Sequence, residues 1–256
     1  MSNSVYDDHL AFYLDFVDKG LAADDGHLDI LVSTFEKLLG DRLLGARVLD
    51  LACGEGYLGR HLAAAGARDV IGVDLSAGLI EEATRRSDAP NLAYQVDDAH
   101  ELRTIPDASV DVVVSQLALM DVAEHRRTFA AVRRVLTSSG VFIFSILHPC
   151  FDGSPFRWPD EPKYVLDENG APIALTVRRY ASEGHWTSDG TGVRGRVGSH
   201  HRTVSTYIND LIATGFRIER VEEPVLPRAV DRGPDGTNAT LFSEIPLALV
   251  VAAHVD

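Results

Sequence analysis

Between residues 46 and 147 the chain alternates short apolar runs with longer amphipathic ones, a rhythm few folds accommodate. ARVLDL (46–51) predicts a first strand, and Tyr57 to Ala65 predicts a helix with Leu58, Leu62 and Ala65 on one face, stopped by Gly66. DVIGVD (69–74) predicts a second strand, followed by a helix near 77–87, then strands at NLAYQV (91–96) and SVDVVVSQ (109–116). A helix over roughly 122–136 turns Phe129, Val132 and Leu136 inward, and GVFIFSIL (140–147) is a fifth strand. Strands that are apolar almost throughout and separated by helices imply a parallel sheet covered on both faces.

The rhythm resumes after residue 202. Thr203 predicts an N-cap, and Val204, Tyr207, Ile208, Leu211 and Ile212 form one helical stripe ending at Gly215. FRIERVEE (216–223) and IPLALVVAAHV (245–255) follow with no helix between them, which predicts a terminal antiparallel hairpin. The expected fold is α/β and doubly wound, a seven-stranded, mostly parallel sheet formed by residues 46–149 and 203–256. Residues 1–45 read as an N-terminal helical cap, with an amphipathic run from Leu28 to Leu39. Residues 150–202 read as a lid-like insertion: the stretch 150–200 holds seven glycines, with Trp158, Trp186, Phe151, Phe156, Tyr164 and Tyr180 and no strong helical period.

The sharpest local feature is VLDLACGEGYLG, residues 48–59. Gly54-x-Gly56-x-x-Gly59 fits a dinucleotide-binding loop, with Asp74 twenty positions after Gly54 to accept from ribose hydroxyls. Glycines let backbone approach a ligand, and a carboxylate at the tip of the next strand accepts from vicinal hydroxyls. Two cofactor classes share that physics.

Three features favour the second. Asp50 ends the first strand four residues before Gly54, and this stretch resembles motif I of the class I S-adenosylmethionine-dependent methyltransferases. Asp97-Asp98-Ala99 after the third strand resembles that superfamily's adenine-binding position, and the terminal strand pair resembles the hairpin that closes its Rossmann-like sheet. The resemblance covers residues 46–149 and 203–255 and is closest to the small-molecule methyltransferase domain of quinone and natural-product biosynthesis. It implies S-adenosylmethionine as cofactor. Gly54 and Gly56 would lie beneath its methionine end, with Cys53 as a small filler in the loop and Asp50 bracing it. Asp74 would take the ribose hydroxyls and Leu75 would lie against the adenine. Asp98 would bind the adenine amine, with Ala99 beside it and Asp97 in the same cofactor-binding stretch. Gln116 and Leu117 would line the methionine moiety, and Tyr13 would close over the cofactor. The residues alone also allow plainer readings: Asp50 as a turn cap, Asp97 and Asp98 as solvated loop acids, Tyr13 as core.

Methyl transfer is an in-line displacement at an activated methyl, so a protein must align the acceptor, exclude water and, for some acceptors, remove a proton. His148, just past the fifth strand, and His201, before the Thr203 helix, are the candidate bases; each could instead only bond loop backbone. Trp158, Trp186 and Tyr207 are candidate substrate contacts, and the tryptophans could equally anchor the insertion. No metal site is expected, because His200 and His201 are adjacent and lack a supporting acid spacing.

Composition narrows the partners. A formal net charge of −14 argues against nucleic acid, which is usually met by a basic stripe; the Arg-dense stretch from Arg194 to Arg202 is short. No apolar run approaches a membrane span, MSNSVYDDHL lacks a signal-peptide pattern, and Cys53 and Cys150 imply no disulfide framework, so a cytoplasmic monomer or homodimer is expected. The substrate expected is a small, apolar or aromatic molecule accepting at oxygen, nitrogen or activated carbon. A cyclase on the same fold and a non-catalytic ligand-binding module are the alternatives. Ser115-Gln116-Leu117-Ala118 replaces the Asn/Asp-Pro-Pro-aromatic signature of amino-nitrogen methylation in proteins and nucleic acids.

Overall fold

In the computed structural model, which describes residues 4–23, 27–151, 164–168, 170, 172–188, 192–226, 243–246 and 248–255, the five apolar runs pair in parallel. They are β1 (Arg47–Leu51), β2 (Asp69–Asp74), β3 (Leu92–Val96), β4 (Val110–Gln116) and β5 (Leu136–Leu147). Helices α1 (Leu10–Ala23) and α2 (His27–Leu39) precede them, and α3 (Tyr57–Ala64), α4 (Ala77–Arg85) and α5 (His125–Val135) alternate with them. The insertion, expected without regular elements, contains two short antiparallel pairs: β6 (Tyr164–Leu166) with β7 (Pro172–Leu175), and β8 (Gly184–Trp186) with β9 (Ser199–His201). A single turn, α6 (Val193–Arg196), lies before β9. After α7 (Val204–Ala213), β10 (Phe216–Glu222) and β11 (Ala248–Val255) form the terminal hairpin, with β11 antiparallel to both β5 and β10. Among the described residues, seven strands make the main sheet in the order β10-β11-β5-β4-β1-β2-β3.

The period-two geometry of a strand divides each central run between two cores. Leu49, Leu51, Val113, Phe142 and Phe144 join Phe129, Val132 and Leu211 on one face. Val48, Val112, Val114 and Ile143 meet Leu58, Leu62 and Phe35 on the other. Phe35 belongs to α2, so the N-terminal region divides. The stripe of α2 completes the second core, while Tyr6, Tyr13, Phe16 and Val17 reach the carboxyl ends of the strands.

The segment after β4 departs from the sequence reading. Helix α5 begins at His125, not near 122, because residues 119–123 wrap around the buried Arg202 guanidinium. Its Nη2 donates to the carbonyls of Val122 and Ala123 at 2.7 and 2.6 Å, and Nη1 donates to that of Leu119 at 3.4 Å. Carbonyls held by a side chain are not available to a helical ladder. At the other end β5 starts at Leu136, directly after α5, with an irregular register against β4 before Val141.

Candidate active site

β1 runs into Ala52 at φ 54°, and Gly54 and Gly56 follow at 56° and 84°, all in the left-handed region. Glycine is required at 56 for a second reason: an added Cβ would collide with the Tyr94 hydroxyl, which donates to the Gly56 carbonyl at 3.1 Å. Leu117, at the tip of β4, is also left-handed at φ 51°, and its N–H donates to the Ser145 carbonyl and hydroxyl at 3.0 Å each. Two of the left-handed non-glycine residues, Ala52 and Leu117, thus stand at the ends of β1 and β4, the two neighbours at which the strand order reverses.

Four carboxylates serve this edge differently. Asp74 holds the β1 loop to the start of α4: Oδ2 accepts from Gly54 N at 3.0 Å and Oδ1 from Ser76 N at 2.9 Å. The Leu75 backbone N–H also bonds this carboxylate, which leaves part of its accepting capacity free. Asp50 is 1 % exposed and accepts from the Gly59 backbone N–H, while its Oδ2 is sealed without a partner. Burial pushes its carboxyl up to about 7, with Asp74 and Glu55 adding to the effect, and burial raises Asp74 as well. Asp97 accepts from Asp98 N, Arg103 N, Thr104 N and Thr104 Oγ1. Four bonds use the whole accepting capacity of a carboxylate, so Asp97 organises the loop and has nothing left for a ligand. Asp98 is more open, and its Oδ1 accepts from the backbone and the Nδ1 of His100.

A cavity of about 650 Å³ opens over these tips. The β1 loop contributes Asp50, Cys53 and Gly54, and the end of β4 contributes Gln116 and Leu117. Tyr13, Phe16 and Val17 of α1 cover one side, and Trp186, Val193 and Arg194 of the insertion close another. A Cβ on Gly54 would reach 3.4 Å from the Tyr13 hydroxyl, so the missing side chain leaves the space between loop and cover. The cover is fastened at several points. Arg86 grips Asp18 through both terminal nitrogens at 2.7 and 3.1 Å, and the Arg196 guanidinium lies 4.0 Å over the Phe12 ring. Asp7 accepts from Ser76 Oγ at 2.5 Å and Gly78 N at 3.2 Å, next to the N-terminus of α4.

One polar group on the wall joins three parts of the chain. Tyr6 donates to Asp121 Oδ2 at 2.7 Å, and Arg194 Nη1 donates to Asp121 Oδ1 and, at 2.8 Å, to the Gly198 carbonyl. Tyr6 and Arg194 line the cavity. Burial raises the Asp121 carboxyl although Arg194 pulls it down, and burial and Asp121 together lift the Tyr6 phenol well above its usual value.

The structure thus brings Tyr13, Asp50, Cys53, Gly54, Gln116, Leu117 and Trp186 onto one cavity, with Asp74 bonded to its loop and Gly56 buried behind it. Leu75, Asp98 and Ala99 lie outside its walls, along the tips of β2 and β3. The histidines lie elsewhere. His148 is 2 % exposed; its Nε2 donates to Glu223 at 2.7 Å and its Nδ1 accepts from Cys150 N, so both nitrogens are engaged. His201 donates from Nε2 to the Tyr180 carbonyl at 2.7 Å. With Tyr207 it borders a separate pocket of about 10 Å³, room for one water at most, behind Met120 and Leu147. Trp158 lies outside the described residues. Sequence reasoning missed Tyr6 and Asp121, which have no local pattern. Arg194 stood in the Arg-dense stretch but was weighed only against nucleic acid.

A family model described as a methyltransferase domain matches residues 49–144. The solved structure of an S-adenosylmethionine-dependent methyltransferase from Mesorhizobium loti is 32% identical, with a TM-score of 0.70, over 83% of this chain and 92% of that one. N-demethylindolmycin N-methyltransferase of Streptomyces griseus is 27% identical over 187 residues, 71% of this chain and 74% of the relative. Malonyl-acyl-carrier-protein O-methyltransferase of Yersinia pestis is 33% identical over 109 residues, 43% of this chain and only 39% of the relative's own length. A glycine loop at the switch point of this sheet, an acid at the tip of β2 and these likenesses converge: the chain belongs to the class I S-adenosylmethionine-dependent methyltransferases, and S-adenosylmethionine is its cofactor.

Proposed function

We propose that this enzyme methylates a small, largely apolar molecule held in the 650 Å³ cavity between the glycine loop and the insertion. The observation that carries the reading is the make-up of that cavity. One end is backbone and carboxylate at the switch point. The other is Phe16, Val17, Trp186 and Val193, an apolar lining that suits a small molecule. Relatives are named for methylation at an oxygen and at a nitrogen, so either atom is open as acceptor here.

The residues present fit the cofactor. Gly54 offers bare backbone where a side chain would fill the space under Tyr13. Asp74, at the tip of β2 and bonded to the glycine loop, has accepting capacity left for a ribose hydroxyl. Asp98 would take the adenine amine, between Leu75 and Ala99, while Gln116 and Leu117 would line the methionine end. When bound, the cofactor supplies a methyl group on a positively charged sulfur. The chain's own work is to orient the acceptor and to keep water away, the latter through Tyr13, Phe16 and Trp186. Among the described residues no helix is long and apolar enough to cross a membrane, and Cys53 and Cys150 are unpaired, which suits a reducing cytoplasm.

Calorimetric titration tests the site. S-adenosylhomocysteine should bind and NAD should not. Asp74→Ala should weaken that binding by about 1–3 kcal/mol, the cost of leaving buried polar groups unpaired. Unchanged affinity in the variant would remove Asp74 from the site.

A further inference from the structure

The wall that holds Tyr6, Asp121 and Arg194 is a polar feature of the cavity that cofactor binding leaves unexplained. Tyr6 has one hydroxyl hydrogen, and it is spent on Asp121. Toward the cavity its oxygen can only accept. The charge of Asp121 is met by Arg194, so this end of the cavity holds no uncompensated carboxylate that would call for a cation. Around it Met120, Leu147 and Val193 are apolar. The complement of such a wall is a neutral, flat molecule carrying an O–H or N–H donor. The histidines offer no competing base, since His148 has both nitrogens bonded and His201 faces a different pocket.

We propose that Tyr6 accepts the proton of the methyl acceptor while passing its own to Asp121, so that the cavity selects acceptors presenting an O–H or N–H. This rests on the small-molecule reading above. In balance, the acceptor atom gains the methyl group and loses its proton, and the methyl–sulfur electron pair stays on sulfur. The acceptor's proton moves to Tyr6 Oη as the phenol's own proton moves to Asp121 Oδ2. The phenol is unchanged, the carboxylate is neutralised, and the proton returns to solvent after the product leaves. Tyr6 is the group that touches the acceptor, and Asp121 acts through it. Burial already biases the Asp121 carboxyl toward its neutral form against the pull of Arg194, which is the direction the step requires. Placement is firm: the Tyr6 ring packs edge-to-face on Tyr13 at 4.9 Å, and its neighbour Asp7 is tied to Ser76 and Gly78.

The test uses the full chain with S-adenosylhomocysteine present and needs no turnover. The probes are 4-nitrophenol and 4-nitroanisole, which share an apolar body and differ in the O–H. The wild type should prefer 4-nitrophenol by about tenfold, what one buried hydrogen bond contributes. Visible spectra should reveal the bound probe as its phenolate below its solution midpoint. Infrared difference spectra should show a protonated-carboxyl band that appears with 4-nitrophenol and not with 4-nitroanisole. Tyr6→Phe and Asp121→Asn should each abolish the preference and the carboxyl band while leaving 4-nitroanisole affinity within about twofold. If both probes weaken together and hydrogen exchange rises over residues 7–23, the three side chains are only a fastener and the proposal is wrong. A wild type that binds neither probe, or binds both equally, overturns it too, even where the enzyme is found to methylate a metabolite.

Discussion

Asp50 carries a measurable consequence of its burial. Its folded-state carboxyl value of about 7 lies above the ordinary 3.8, so the folded protein binds that proton more tightly than the unfolded chain. The stabilising contribution is therefore complete below the unfolded value and is lost as pH rises toward 7. Burial shifts Asp74 in the same direction. Urea unfolding should find Asp50→Asn gaining stability relative to wild type between about pH 5 and about pH 8, by a few kcal/mol in all. A constant difference across that range would mean that Asp50 is ionised throughout. Gly54, Gly56 and Asp74 were legible in the sequence because a left-handed loop and a strand-tip acid recur at a spacing fixed by the strand–loop–helix unit. Tyr6 and Asp121 were not, since their bond spans 115 positions and neither lies in a periodic run. Asp97 and Asp98 look equivalent as letters, and only the backbone N–H groups that surround Asp97 separate them.

The elements of the sheet followed from apolar runs with the right length and stops, five of them pairing in parallel and the last two as an antiparallel hairpin. Two regions escaped that reasoning. The start of α5 was placed too early because Phe129 and Val132 set a helical period but cannot reveal that Arg202, some eighty positions away, claims the carbonyls before it. Arg202→Met should take the charged donor away from those carbonyls and cost about 2 kcal/mol in unfolding free energy, what hydrogen bonds to a charged group contribute. A loss within error would make the turn self-supporting. The insertion pairs β6 with β7 and β8 with β9 over three or four residues each, too few for a period of two to register. It contributes Trp186, Val193 and Arg194 to the cavity, which supports our proposal that it covers the acceptor. Replacing residues 152–197 with a short Gly-Ser linker should keep S-adenosylhomocysteine binding and abolish methyl transfer, as read by calorimetry and by label incorporation. A trimmed protein that still methylates would reduce the insertion to a surface loop.

At the scale of the molecule, one topological fact organises the function. The sheet reverses its strand order between β1 and β4, their strained ends stand together, and the crevice above them is roofed by α1 and the insertion. A net charge of −14 around an apolar cavity suits a neutral acceptor better than a polyanion. The most direct measurement supplies the enzyme with S-adenosylmethionine bearing an isotope-labelled methyl group, together with a protein-free metabolite extract, and follows the label by mass spectrometry. The account predicts a small molecule that gains the labelled methyl as S-adenosylhomocysteine accumulates in equal amount. Label that passes only to added protein or nucleic acid, with every small molecule unchanged, would contradict it.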